Sequence, residues 1–276
     1  MITPVEARSG KGHRDENFPV ASRLIHPRHR EPILAFYEFV RTADDIADHA
    51  TLAPQDKLAL LDRLEATLLG QSGDDSVGVA LRAQLAARHL SPRHAQDLLT
   101  AFRMDVTKLR YRDWDDLMGY CRYSASPVGR QLLDLHGESR DTWPPSDALC
   151  SALQVLNHLQ DCAADYHALD RVYLPLDDLG AAGCTVEALA APVAVPGLRR
   201  VIDSLLDRTE ALIATARDLP PRVAARGLRW ESAVIVALAG RLALRLRRGD
   251  PLATRVKLSK NDFTAAFLTG ILARRG

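Results

Sequence analysis

Asp44 and Asp48 stand four residues apart, and so do Asp161 and Asp165. On an α-helix that spacing stacks two carboxylates on one face, one turn apart. Like charges so placed mildly destabilise a helix, so local stability gives no reason to keep them. Either both pairs are solvated acidic faces, or they hold a cation. Two such pairs facing each other would supply several hard oxygen ligands. Mg²⁺ suits them, because it takes a few carboxylates, keeps its waters and draws its other ligands from a substrate phosphate. Asp44, Asp48, Asp161 and Asp165 are therefore the candidate metal ligands.

The flanking residues favour the cation. Ile33-Leu-Ala-Phe36-Tyr37-Glu-Phe39-Val40 repeats apolar residues at helical spacing, which turns Phe36, Phe39 and Val40 toward a core. Tyr37, Arg41, Asp44 and Asp48 extend one stripe of that helix. A bare carboxylate pointing into a protein is costly, and a metal ion offsets the cost. Around the second pair, Gln154, Asn157, Asp161 and Asp165 form a polar stripe beside Leu153, Leu156 and Leu159. A polar stripe on so apolar a helix reads as a cavity wall.

The chain is 276 residues long and 47% hydrophobic, enough for one large helical domain or two small ones. Its net charge is +1, which points to no nucleic-acid partner. The charge is uneven. After residue 240 there are nine Lys or Arg against Asp250 and Asp262, a local +7 that leaves −6 for the first 240 residues. Such a basic end fits an anionic ligand, an anionic membrane surface, or simply a solvated helix end. Cys121, Cys150, Cys162 and Cys184 show no metal-binding spacing and read as reduced core residues of a cytoplasmic protein. The polar N-terminus lacks a signal-peptide pattern. The longest apolar run, 232–240, is far short of the ~20 residues of a membrane span.

Residues 1–14 read as a loose arm, and Asp15 as the cap of a short helix through Arg23. The acidic helices are expected over 28–50 and 146–166. Pro54 suits the first position of a helix ending at Gly70, and 71–78 reads as a polar turn. Ser91-Pro92 caps the next helix, and Asp113 opens another. Ser124-Ala-Ser126-Pro127 must interrupt that helix, because proline removes a donor and clashes with the preceding turn. Residues 128–137 restart it. Residues 166–184 read as a long loop, with later helices near 198–217, 228–248 and 261–274. No strand pattern or linker is evident. The fold class expected is all-α, one helical domain over 15–276.

Four segments in order resemble the squalene/phytoene synthase family of prenyl diphosphate enzymes. They are Tyr37-(x)3-Arg41-(x)2-Asp44-Asp45-(x)2-Asp48, Tyr120-Cys121 with Val128-Gly129, Gln154-(x)2-Asn157-(x)3-Asp161-(x)3-Asp165, and Arg171-Val-Tyr173-Leu-Pro175. The resemblance implies an isoprenoid-synthase fold with a central cavity flanked by two Asp-rich helices. Within the family, Glu16-Asn-Phe-Pro-Val-Ala-Ser22 and Tyr120-Cys-Arg-Tyr-Ser-Ala-Ser-Pro-Val-Gly-Arg130 are similar to the hydroxysqualene-forming branch of the bacterial hopanoid pathway. That branch is implied to ionise presqualene diphosphate with Mg²⁺, rearrange the cation and add water, without NADPH. No Gly-rich dinucleotide fingerprint appears in the chain. The alternative is a synthase of presqualene diphosphate, squalene, phytoene or dehydrosqualene that condenses two prenyl diphosphates. Such enzymes carry Ser-x-Lys-Ser where this chain has Arg14-Asp-Glu-Asn17, and Arg where it has Gln160. A site for two diphosphates needs those hydroxyl and cationic groups. Asp165 to Tyr173 is also one residue longer than usual in the family.

The resemblance implies roles for single residues. Asp44, Asp48, Asp161 and Asp165 would bind Mg²⁺, with Asp45 behind them. Arg41, Lys257 and Lys260 are candidates for diphosphate oxygens. Phe18, Tyr37, Tyr120 and Val128 match cavity positions, where aromatic faces stabilise a cation. Gln154 and Tyr173 are substrate-binding candidates. Asn157 is the candidate holder of the attacking water, followed by Tyr123 and Ser124. His136 and His158 read as structural. A functional link to a presqualene diphosphate synthase and a peripheral membrane contact are left open. A di-iron bundle would want Glu-x-x-His pairs, where this chain uses Asp. A non-enzymatic helical scaffold would tolerate loss of the aspartates.

Overall fold

Pro27 opens the first described helix in a computed structural model that describes residues 26–273. Proline suits that position because its missing N–H would be unpaired there anyway. The described residues are 75% helical, and no strand occurs among them. Its residues group into two compact units, Met1–Lys108 with Pro127–Ser139, and Leu109–Ser126 with Arg140–Gly276.

In the first unit, α1 (Pro27–Ala47) packs on α2 (Pro54–Leu68), α3 (Ser76–Ala86) and α4 (Arg93–Thr107). Phe36, Phe39, Ala43 and Ile46 of α1 meet Leu60, Leu61, Leu64, Leu81, Leu98 and Leu99 in one core. Each fully buried Leu or Phe contributes about 2 kcal/mol. Asp75 caps α3 through the N–H groups of Val77 and Gly78. Gly78 is thus inside a helix rather than at the end of a polar turn. A Cβ there would meet Thr67 Cγ2 at 2.9 Å, so the glycine lets α3 lie close against α2. Helix α6 (Ser126–His136) joins this unit except for its first residue.

In the second unit, Asp113 caps α5 (Trp114–Ser124) by accepting from Asp116 N. The helix stops at Ala125, just before Pro127, as the proline requires. The second acidic helix, α7 (Trp143–Leu169), is longer than its polar pattern suggests. It packs on α5, α9 (Pro196–Ala216) and α11 (Arg226–Arg248). Asp170 ends α7 in the left-handed region at φ 50°. Its side chain and carbonyl both take Arg110, which accommodates the long connection to Tyr173. The expected loop over 166–184 instead holds the end of α7 and a short helix, α8 (Leu176–Ala181). Val172 N bonds to Leu109 O at 2.9 Å and Leu176 N to Tyr111 O at 2.9 Å, so this stretch is pinned along its length. The turn α10 (Leu219–Arg222) precedes α11, and α12 (Lys260–Ala273) packs against α11. All four cysteines are free, and burial lifts the Cys121 and Cys162 thiols to about 12.

Candidate active site

The first acidic cluster closes α1. Arg41 Nη1 contacts Asp44 Oδ2 at 2.9 Å and its Nη2 contacts Asp45 Oδ1 at 2.8 Å. Arg41 is thus committed to two carboxylates one turn on. Asp45 is buried, while the Asp44 side chain keeps 37% of its surface open. Asp48 is the C-cap, directly after the last helical residue. Half-buried Tyr37 lies one turn before Arg41 on the same helix.

Burial is the first cause that raises the Asp44 carboxyl to about 7, and the neighbouring carboxylates Asp48, Asp105 and Asp45 add to it against the opposing pull of Arg41. Asp105 comes from α4 and is buried. The sequence reading missed it, although the signal was present. It follows Leu98, Ala101 and Phe102 on the buried stripe of its helix, as Asp44 follows Phe36 and Val40 on α1.

A raised acid favours the protonated form in the folded state. Asp44 therefore contributes stability below its ordinary pKa of 3.8 and loses it as pH rises through about 7. Asp44→Asn removes that loss. In metal-free protein at pH 8 it is expected to gain about 1 kcal/mol, after discounting for the open third of the side chain, or about 2–4 °C in Tm. Thermal melts of variant and parent should converge near pH 4. A constant difference across this range would show that the gain comes from packing.

The second cluster lies on α7. Asp161, 30% exposed, is paired by Arg255, whose Nε lies 2.8 Å from its Oδ1 and whose Nη2 lies 3.0 Å from its Oδ2. Asp165 is half-buried one turn on, and its carbonyl accepts from Arg171 N. Buried Gln160 donates to Val256 O at 2.6 Å, pinning the segment that carries Arg255. Lys257, by contrast, is exposed in a groove with Arg241, Arg245 and Arg248.

Behind this face, His158 stacks on Tyr173 with ring centroids 3.4 Å apart and 12° between planes. Tyr111 and Tyr120 complete the aromatic group, 5.5 and 5.6 Å from Tyr173. Burial, then the Arg171 charge, pushes His158 down to about 3, so its imidazole is neutral. Gln154 Nε2 lies 3.2 Å from His158 Nε2 and donates to it. Asn157 is half-buried, and its Oδ1 is buried without a hydrogen-bond partner among the described residues; so is Ser124 Oγ. The structure therefore joins Tyr120, Gln154 and Tyr173 through His158. Val128 is 37% exposed on α6, His136 stacks on His29 at 4.2 Å, and Phe18 lies outside the described residues.

No preformed cluster of three or more metal-ligating side chains occurs among the described residues. Mg²⁺ does not ask for one, since one or two carboxylates with water and phosphate satisfy it. The all-oxygen donors and the charge crowding at Asp44 fit that ion.

Four likenesses bear on these residues. Residues 12–262 match the squalene/phytoene synthase family model. Hydroxysqualene synthase of Rhodopseudomonas palustris is 56% identical over 266 residues, 96% of this chain and 91% of that one. The corresponding protein of Sinorhizobium fredii is 54% identical, over 91% of this chain and 86% of that one. The crystal structure of squalene synthase HpnC from Alicyclobacillus acidocaldarius superimposes with a TM-score of 0.73 at 32% identity, covering 83% of this chain and 87% of that one. The all-α architecture is that of the isoprenoid synthases, and the chain belongs to the squalene/phytoene synthase family.

Proposed function

We propose that this chain is a hydroxysqualene synthase, a carbon–oxygen lyase that turns presqualene diphosphate and water into hydroxysqualene and diphosphate. The likeness to relatives bearing that name carries the reading. The alternative, a transferase that condenses two prenyl diphosphates, is disfavoured by Gln160. This residue is engaged with Val256 O and offers no cation to a second diphosphate.

Asp44, Asp48, Asp161 and Asp165 would hold Mg²⁺ directly or through water. Bound there, Mg²⁺ neutralises the charge that develops on the diphosphate as it leaves. The carbon–oxygen bond breaks with its electron pair on the diphosphate. Arg255, paired with Asp161, would be the cation at hand for diphosphate oxygens. The face of Tyr120 would stabilise the carbocation without adding to it, with Tyr173, stacked on His158, supporting it from behind. Neutral His158 keeps Gln154 oriented and cannot protonate an alkene. Asn157 Oδ1 accepts a hydrogen bond from the water that attacks the rearranged cation, and the released proton passes to diphosphate. No hydride donor is needed.

Phe18, Tyr37 and Val128 would line the hydrocarbon path, and Arg41 would assist with the diphosphate. The substrate would come from a presqualene diphosphate synthase. Reactant and product are lipids, which favours work at a membrane surface. No helix among the described residues is long and apolar enough to cross one.

Incubating the purified protein with presqualene diphosphate and Mg²⁺, without NADPH, should give hydroxysqualene. Farnesyl diphosphate alone should give little presqualene diphosphate. Efficient condensation of farnesyl diphosphate would replace this reading with the transferase.

A further inference from the structure

We infer that the outer side of α12 and the basic groove beside it dock the protein on a bilayer bearing anionic phospholipid headgroups. The inference deepens the reading above, on which substrate and product are C30 lipids, by naming the surface and the lipid charge.

Helix α12 is seated on α11 along one side. Asp262 and Ala266 are buried one turn apart, and Gly270 follows on the same side. A Cβ at Gly270 would meet Trp230 Nε1 and Val234 Cγ2 at 2.7 Å, so the glycine is what lets α12 lie this close to α11. The outward side is open and mixes large apolar residues with Lys260, Asn261 and Thr264. Phe263 is 41% exposed, Phe267 49% and Leu268 57%. Phe267 is held edge-on against Trp230 with centroids 4.7 Å apart, so this apolar surface is fixed in place. Large apolar side chains gathered on one exposed face mark a surface that something covers.

The groove indicates what covers it. It encloses about 550 Å³ and is lined by Arg241, Arg245, Arg248 and Lys257, with Leu244 in its wall and Asp262 at its edge. Asp262 takes Arg245 at 2.6 Å and lies 3.7 Å from Arg241. Arg248 and Lys257 are exposed and pair with no carboxylate among the described residues. Four cations against one anion leave the lining positive, and Leu244, 47% exposed, continues the apolar surface into it. A free phosphate would use the charge and leave the phenylalanines in water. A nucleic acid would do the same. A second copy docked face to face would oppose Arg248 to like charge. A bilayer surface satisfies both features, with phosphates on the groove and Phe263, Phe267 and Leu268 at the acyl boundary.

Flotation of the full chain with phosphatidylcholine vesicles, with and without phosphatidylglycerol, tests this. Partition should be about ten-fold stronger onto the anionic vesicles and should fall with added salt. Arg248→Glu, and Phe263→Ser with Leu268→Ser, should each lower it about five-fold or more. Thermal melts should match the parent, and turnover of detergent-dispersed substrate should be unchanged. Equal partition onto neutral vesicles, or variants that float like the parent, would overturn the proposal. So would a dimer in sedimentation that Arg248→Glu dissolves while no vesicle is bound. Flotation reads no chemistry, so loss of the proposed reaction would leave this result standing, and the reverse.

Discussion

Asp44→Ala and Asp161→Ala are each expected to lower turnover of presqualene diphosphate by on the order of 10³-fold while the fold persists. The size follows from removing a group that stabilises the charge developing on the leaving diphosphate, about 10²–10³-fold for one such group. Persistence of the fold follows from the surroundings. Asp44 is crowded by Asp48 and Asp105, so its removal relieves repulsion in the metal-free protein. Asp161 faces Arg255, which is half-exposed, and an exposed pair contributes about 1 kcal/mol or less. Steady-state kinetics with circular dichroism on the same samples makes the check. Parent rates in well-folded variants would remove the metal assignment.

Asn157→Leu is expected to change what the protein makes more than how fast it ionises substrate. Asn157 Oδ1 is a buried acceptor with no partner among the described residues, and a buried polar atom in that state calls for water or ligand. It sits one turn before Asp161 on α7. Leucine has nearly the same size but holds no water. The rearranged cation then loses a proton instead, and elimination products should rise by about ten-fold relative to hydroxysqualene, the worth of one hydrogen bond of about 1.4 kcal/mol. Diphosphate release should fall much less. Product analysis beside a diphosphate assay separates the two. An unchanged product ratio with a slower rate would make Asn157 a packing residue and move the water to Ser124, whose Oγ is likewise buried without a partner among the described residues.

Much of this protein is legible in its sequence because helices write themselves locally. The stripe from Phe36 to Val40 put Phe36 and Phe39 in the core, where they are 3% and 0% exposed. Pro54 and Pro127 through their backbones, and Asp113 through its capping carboxylate, marked helix starts and a break, and each stands where the structure has it. The i,i+4 aspartates needed only helical geometry to be recognised. Residues brought together by packing left no such local trace. Asp105 crowds Asp44 from another helix, and Arg255 reaches Asp161 from 94 residues away. The basic run at the C-terminal end named Lys257 and Lys260 but could not say that Arg255 meets the carboxylate while Lys257 turns into a groove. His158 reads as an ordinary structural histidine until Tyr173 is seen stacked on it and Gln154 bonded to it. Periodicity reports neighbours three and four residues apart, whereas the charge state of a carboxylate or an imidazole depends on whatever the fold brings within a few ångströms of it.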